Sequence, residues 1–269
     1  MSIPLEDLSN DVVSKAQRGL GLTLAALSEK SGVPEAQIEA AKAGDKAPAV
    51  LLKLAPALGL HGPALVTMAE DGWYPKPVSL AGLAQLNTLY HDMTVNAYLV
   101  WDPQTLEAAA FDTGATAAPM MEKIRELGLT LKYLFLTHTH PDHVADIPGL
   151  SAPEVYVNKN EPHDGAQTFT PGATWKLGGL TIESRSTWGH SKGGVTYVVS
   201  GLAQPVAVVG DALFASSMGG GMVSYADALA TNRKEIFSLP DDTVIAPGHG
   251  PMSTVGEEKA HNPFYPEFK

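Results

Sequence analysis

The six residues His138-Thr139-His140-Pro141-Asp142-His143 place three imidazoles and a carboxylate in one short stretch. Imidazole and carboxylate are donor types that divalent zinc, iron and manganese accept without any thiolate. His138 and His140, two apart on an extended backbone, could reach one ion. Pro141 favours a turn, after which Asp142 and His143 point elsewhere, toward a second ion. The bland alternative is a polar loop that happens to be rich in histidine. It would suit a single His-x-His better than three histidines and an aspartate at this spacing.

Ligands need elements to hold them. The hexapeptide follows the apolar run Leu131–Leu136, which predicts a buried strand with the cluster at its C-terminal end. The same grammar recurs three times. Gly189-His190 follows the run 180–184 and precedes the apolar run 195–200. Ala207–Gly210 is a short apolar strand running into Asp211, and Val244–Pro247 runs into Gly248-His249-Gly250. A small residue beside each ligand lets backbone approach a metal or substrate closely.

The order and spacing of these segments resemble the metallo-β-lactamase superfamily over roughly residues 90–264. The resemblance implies an α/β fold, an αββα sandwich carrying a two-metal site. Carried over, it assigns His138, His140 and His190 to the first metal and Asp142, His143 and His249 to the second, with Asp211 bridging both. Phe111-Asp112-Thr113-Gly114 matches the family's early aspartate motif, so Asp112 is expected to support the metal loop rather than bind metal. Residues 210–214, 239–251, 254–259 and 262–264 further resemble the glyoxalase II group, which hydrolyses thioesters of glutathione. Where that group carries Gly-x-Gly-Arg, this chain has Ser217-Met218-Gly219-Gly220-Gly221-Met222, without arginine. It also ends at Lys269, with no room for the extra helical domain of the longer members. Tyr225, where the family places substrate contacts, and His91, at the start of the catalytic region, are the substrate-contact candidates.

Two divalent cations a few ångströms apart lower the pKa of a shared water, and the resulting hydroxide can attack an acyl carbon. Asp142 would orient that nucleophile and shuttle a proton, which makes it the candidate catalytic residue. The chain contains no cysteine, so a covalent cysteine intermediate is excluded. It has no Gly-x-Ser-x-Gly elbow either, and Ser191 and Ser216 read as loop residues. The expected activity is hydrolysis of an acyl-thiol, S-lactoylglutathione or a relative, with zinc as the default pair of ions and iron or manganese open. The same site could instead serve as a lactonase, a phosphoesterase or a single-iron persulfide dioxygenase. The complete second ligand set speaks against the last. A reading from another class is a metabolite-sensing DNA-binding regulator. His61, His163 and His261 read as a cap, a solvated loop residue and a surface residue.

The formal net charge of −11 argues against non-specific attraction to nucleic acid or anionic membranes. No apolar run reaches the ~18 residues of a membrane span. The first residues carry no signal-peptide pattern, and the lack of cysteine fits a reducing, cytoplasmic location. Residues 1–72 read as a small all-α, helix-turn-helix-like domain, with helices near 5–18, 23–31, 34–43, 47–58 and 62–70. Residues 73–89 read as linker and lead-in, and 90–269 as the catalytic domain. In the helical domain six cations face nine acids, and helix 34–43 exposes Glu35, Gln37, Glu39 and Lys42. That is a poor footprint for DNA, so homodimer formation or covering of the active-site side is the favoured role. Deletion of 1–72 is accordingly expected to leave the metal ligands intact.

Overall fold

The computed structural model describes residues 3–269; Met1 and Ser2, part of the stretch read as lacking a signal peptide, lie outside the described residues. Five helices come first: α1 (Ser9–Gly19), α2 (Leu24–Ser31), α3 (Glu35–Lys42), α4 (Pro48–Leu58) and α5 (Gly62–Ala69). Their boundaries follow local chemistry. Thr23 caps α2 by accepting the Ala26 N–H at 3.1 Å, and His61 caps α5 by accepting the Ala64 N–H at its Nδ1. Helix α1 starts four residues later than position 5, because the Asp11 carboxylate accepts the Leu8 N–H and closes the helix there. Residues 3–8 therefore run as non-helical chain.

The first sheet comprises β1 (Leu83–Tyr90), β2 (Met93–Trp101), β3 (Glu107–Phe111), β4 (Thr130–Phe135), β5 (Glu154–Asn158) and β6 (Gln167–Phe169), side by side in sequence order. Helices α6 (Ala118–Leu127) and α7 (Ile147–Leu150) interrupt it. The second sheet has β7 (Thr174–Leu177), β8 (Leu180–Ser186), β9 (Val195–Ser200), β10 (Val206–Gly210), β11 (Val244–Pro247) and β12 (Ser253–Thr254), again in sequence order. Helix α8 (Tyr225–Glu235) crosses from β10 to the parallel β11, and α9 (Val255–His261) follows β12.

Period-2 alternation shows how the layers stack. In β3, Ala109 and Phe111 join a cluster with Tyr197, Val199, Val206 and Val208 of the other sheet, and this is the layer between the sheets. Ala108 and Ala110 point the other way, onto Met120 and Ile124 of α6. In β10 the partition repeats: Val206 and Val208 face inward, while Ala207 and Val209 face an outer helical layer. The fold is thus an αββα sandwich with an N-terminal helical segment. That segment does not close on a core of its own. Val12, Val13, Leu27, Leu51 and Leu65 share one hydrophobic cluster with Leu213, Tyr225, Ile236, Phe264 and Tyr265. Packing between α1 and α8 is close enough that a Cβ on Gly19 would lie 2.3 Å from the Tyr225 ring.

Glu258 of α9 is fully buried within this layer and accepts from the Ser216 N–H and the Asn262 amide, while its Oε1 lacks a partner. Burial pushes its pKa up to about 7. Between about pH 4.5 and 7 the unfolded chain ionises this carboxyl while the folded one keeps its proton. Stability is therefore lost as pH rises through that window, by up to about 3 kcal/mol. Glu258→Gln should melt higher than wild type at pH 8 and lose that advantage at pH 4.5; equal advantages at both pH values would contradict the assignment.

Candidate metal centre

Four strand ends deliver the candidate ligands to one edge of the sandwich. β4 leads into His138, β10 into Asp211 and β11 into His249, while His190 sits in the β8–β9 loop. The donor atoms gather in two groups: His138, His140, His190 and Asp211, and Asp142, His143 and His249, each within 4.8 Å. In the first, His138 Nε2 lies 3.0 Å and His190 Nε2 3.1 Å from His140 Nδ1, and His190 Nε2 is 3.3 Å from Asp211 Oδ2. In the second, His249 Nε2 and His143 Nε2 lie 3.3 and 3.5 Å from Asp142 Oδ2. Asp211 faces this group as well, with Oδ1 3.3 Å from His143 Nε2 and Oδ2 3.6 Å from His249 Nε2. Bonds of 2.0–2.2 Å around a tetrahedral ion put donors about 3.4 Å apart, and these separations bracket that value.

Tautomers decide what the inward nitrogens are. His190 Nδ1 and His249 Nδ1 approach the carbonyls of Gly220 and Thr94 at 2.9 and 2.7 Å. A carbonyl only accepts, so each Nδ1 carries hydrogen, and each ring in its neutral, metal-binding form presents a bare Nε2 lone pair to the site. His143 Nδ1 donates to Asp112 Oδ2 at 2.8 Å. Thr137 Oγ1 gives its one hydrogen to Asp112 Oδ2, which leaves it to accept from His138 Nδ1. Buried His143 Nε2 and Asp211 Oδ1 have no hydrogen-bond partner among the described residues. Unpaired buried polar atoms are costly, and two of them facing a common centre fit a bound cation. The donor sets are compatible with a dinuclear metal site.

The electrostatics divide the imidazoles. Burial, helped by the neighbouring His143, holds His138 well below the usual imidazole pKa, and burial lowers His190 too. Burial would lower His143 and His249, but the Asp211 carboxylate overrides it and raises both, His249 to about 9. The positive potential of those imidazoles in turn keeps Asp211 ionised against its own burial. Close packing has a glycine signature: a Cβ on Gly248 would fall 2.2 Å from Asp211 Oδ1 and 2.7 Å from His143 Cε1.

Asp112 backs the candidate donors. It accepts the Thr137 N–H and hydroxyl, each at 2.7 Å, as well as His143. Neither Tyr225 nor His91 belongs to a donor group. Tyr225 is buried against Phe264 and Gly19, and burial raises its pKa to about 12. His91 is exposed at the β1–β2 turn with a φ of 54°. His163 hydrogen-bonds locally to Asp164, and His261 stacks on Trp73 at 4.5 Å. Sequence reasoning missed Glu161, whose carboxylate accepts the Thr139 N–H and hydroxyl and the Gly193 N–H, tying the two histidine loops together. A glutamate in a polar loop carries no sequence signal for that duty. Beside the His190 loop lies a groove of about 450 Å³ lined by Asn160, Ser186, Trp188, Lys192 and Val223.

Sandwich, strand-end ligands and paired donor sets together define a metal-binding hydrolase architecture. Residues 92–249, more than half of the chain, match the metallo-beta-lactamase superfamily, and the chain belongs to it. It is 30% identical to the hydroxyacylglutathione hydrolase GloC of Haemophilus influenzae over 197 residues, covering 63% of this chain and 92% of that one. It is also 30% identical to the human mitochondrial persulfide dioxygenase ETHE1 over 183 residues, 62% of this chain and 69% of the relative. The crystal structure of TTHA1623 in a di-iron-bound form is 26% identical, with a TM-score of 0.53 over 66% of this chain and 99% of that one. Among the described residues no helix is long and apolar enough to cross a membrane.

Proposed function

We propose that the chain is a dinuclear metal-dependent hydrolase that cleaves a thioester. The single observation that carries this reading is the second donor set, Asp142, His143 and His249, complete beside the first and linked to it by Asp211. A hydrolase with two ions needs both sets; a mononuclear oxygenase needs only one. Two divalent ions held there would supply an ionised water at neutral pH and charge to stabilise the oxyanion.

The chain's own groups do the rest. His138, His140 and His190 hold one side, while Asp142, His143 and His249 hold the other. Asp142 Oδ2 faces two imidazoles, and its Oδ1 makes no hydrogen bond among the described residues. That oxygen is free to orient the attacking water and to take its proton. A thiolate leaves readily at neutral pH, so no strong general acid is required. The 30% identity to a hydroxyacylglutathione hydrolase supports an acyl-thiol substrate.

For the thiol carrier we favour the groove beside His190. Trp188 offers an apolar surface there, and Lys192 has no ion-pair partner among the described residues, so a carboxylate-bearing carrier such as glutathione suits it. Lys192→Ala should raise KM for such a substrate about tenfold with little change in kcat. An unchanged KM would remove Lys192 from the substrate site.

The test is elemental analysis for metal beside S-lactoylglutathione hydrolysis on one preparation. Two ions per chain with metal-dependent cleavage support the reading. Two ions without cleavage discard the glutathione thioester and leave lactones and phosphoesters. One iron with oxygen consumption on a persulfide would replace hydrolysis by the chemistry named for the human relative.

A further inference from the structure

The non-helical residues 3–8 and helix α1 lie against the metal centre. Asp7 is 5% exposed, and its Oδ2 accepts from both the Lys15 ammonium and the Ser217 hydroxyl. Lys15 Nζ also donates to the Met218 carbonyl at 3.0 Å and sits 5.1 Å from the centre of the Phe214 ring, which meets His249 edge-on at 5.6 Å. These contacts converge on the loop 212–220. That loop begins next to Asp211, the carboxylate between the two donor groups, and ends at Gly220, whose carbonyl fixes the His190 tautomer. Glu6, one residue before Asp7, brings Oε2 to 3.9 Å from His249 Nδ1. One short stretch of chain thus touches the supports of both donor groups.

We propose that the N-terminal helical segment is a built-in part of the metal centre. Asp7 and Lys15 are positioning residues that hold the 212–220 loop, and through it Asp211 and His190. Glu6 lies beyond hydrogen-bond reach of His249, whose Nδ1 hydrogen goes to the Thr94 carbonyl, and acts on that ring by placing a carboxyl group beside it. The segment governs how tightly both ions are retained, which runs against the expectation that 1–72 can be removed without consequence for the ligands. The inference rests on the dinuclear reading above. Its chemistry is that of partners behind metal ligands: they fix ring orientation and donor strength, and their loss weakens metal binding by about 10–100-fold.

The test uses the full-length chain and zinc alone. Zinc affinity is measured by competition with a chromogenic chelator for wild type, Asp7→Asn, Lys15→Met, Lys15→Arg and Glu6→Gln. Melting temperature is taken with and without zinc. Asp7→Asn and Lys15→Met should each lose about 10–100-fold in affinity, and Lys15→Arg should recover most of it. Glu6→Gln should weaken only one of the two ions. In the affected variants the gap between zinc-loaded and zinc-free melting temperatures should shrink. A merely structural role would lower both temperatures together and leave the gap unchanged. If Lys15→Met does not fold, Asp7→Asn and Glu6→Gln decide alone. Unchanged affinities and gaps in those variants, with wild type holding two ions, overturn this inference alone. A wild type that binds fewer than two ions of zinc, iron or manganese overturns the dinuclear reading and this inference with it.

Discussion

Replacing Asp211 with alanine is expected to empty both halves of the centre at once. Its two oxygens face His143 on one side and His190 on the other, 3.3 Å from each. It belongs to the first donor group and faces the second. Without it, the first group would be imidazole alone, and Asp142 would be the one carboxylate left in the two groups to balance two dications. The metal-to-protein ratio should fall below one, and kcat/KM for the wild-type substrate by at least about a thousandfold, equivalent to roughly 4 kcal/mol of barrier. His163→Ala, at a half-exposed loop position, serves as the control and should keep both. Full turnover by the Asp211 variant would falsify the site assignment.

Stripping metal should also cost the fold a large increment of stability. The metal-free centre keeps His143 Nε2 and Asp211 Oδ1 buried without partners. Bound ions satisfy these atoms only in the folded state. Free ion at about a thousand times its dissociation constant contributes about 4 kcal/mol. At about 2–4 °C per kcal/mol for a chain of this size, chelation should lower the melting temperature by about 8–16 °C. Scanning calorimetry with and without chelator measures it. A difference within experimental scatter would mean that the donors are content with one another and that no ion is normally resident.

Much of this architecture could be read from residues alone, for identifiable reasons. The candidate ligand segments follow apolar strands, and β4, β10 and β11 lie where the runs before His138, Asp211 and His249 predict them. The five N-terminal helices begin and end within four residues of the positions read for them, because caps such as Thr23 and His61 and a helix-ending glycine such as Gly32 act locally. What escaped was non-local. Glu161, Glu6 and Asp7 are ordinary acids in polar stretches, and only the folded chain shows that Glu161 bridges two histidine loops while Asp7 meets Ser217, 210 positions away. The shared core of α1–α5 with α8 was invisible for the same reason. An amphipathic helix announces that it has a buried face but not what covers it.

Candidate ligands spread from His138 to His249 also place a constraint on the order of events in folding. His138 and His140 are neighbours in any conformation, so an unfolded chain can offer an ion that local pair. His190, Asp211 and His249 come within reach only after β8 to β11 have paired. The pairing includes the parallel β10–β11 contact, which needs the long crossover through α8. Such distant closures are the slow steps of folding. An ion captured early by the local pair is therefore held loosely until the second sheet closes, and tight binding marks chains in which assembly has finished.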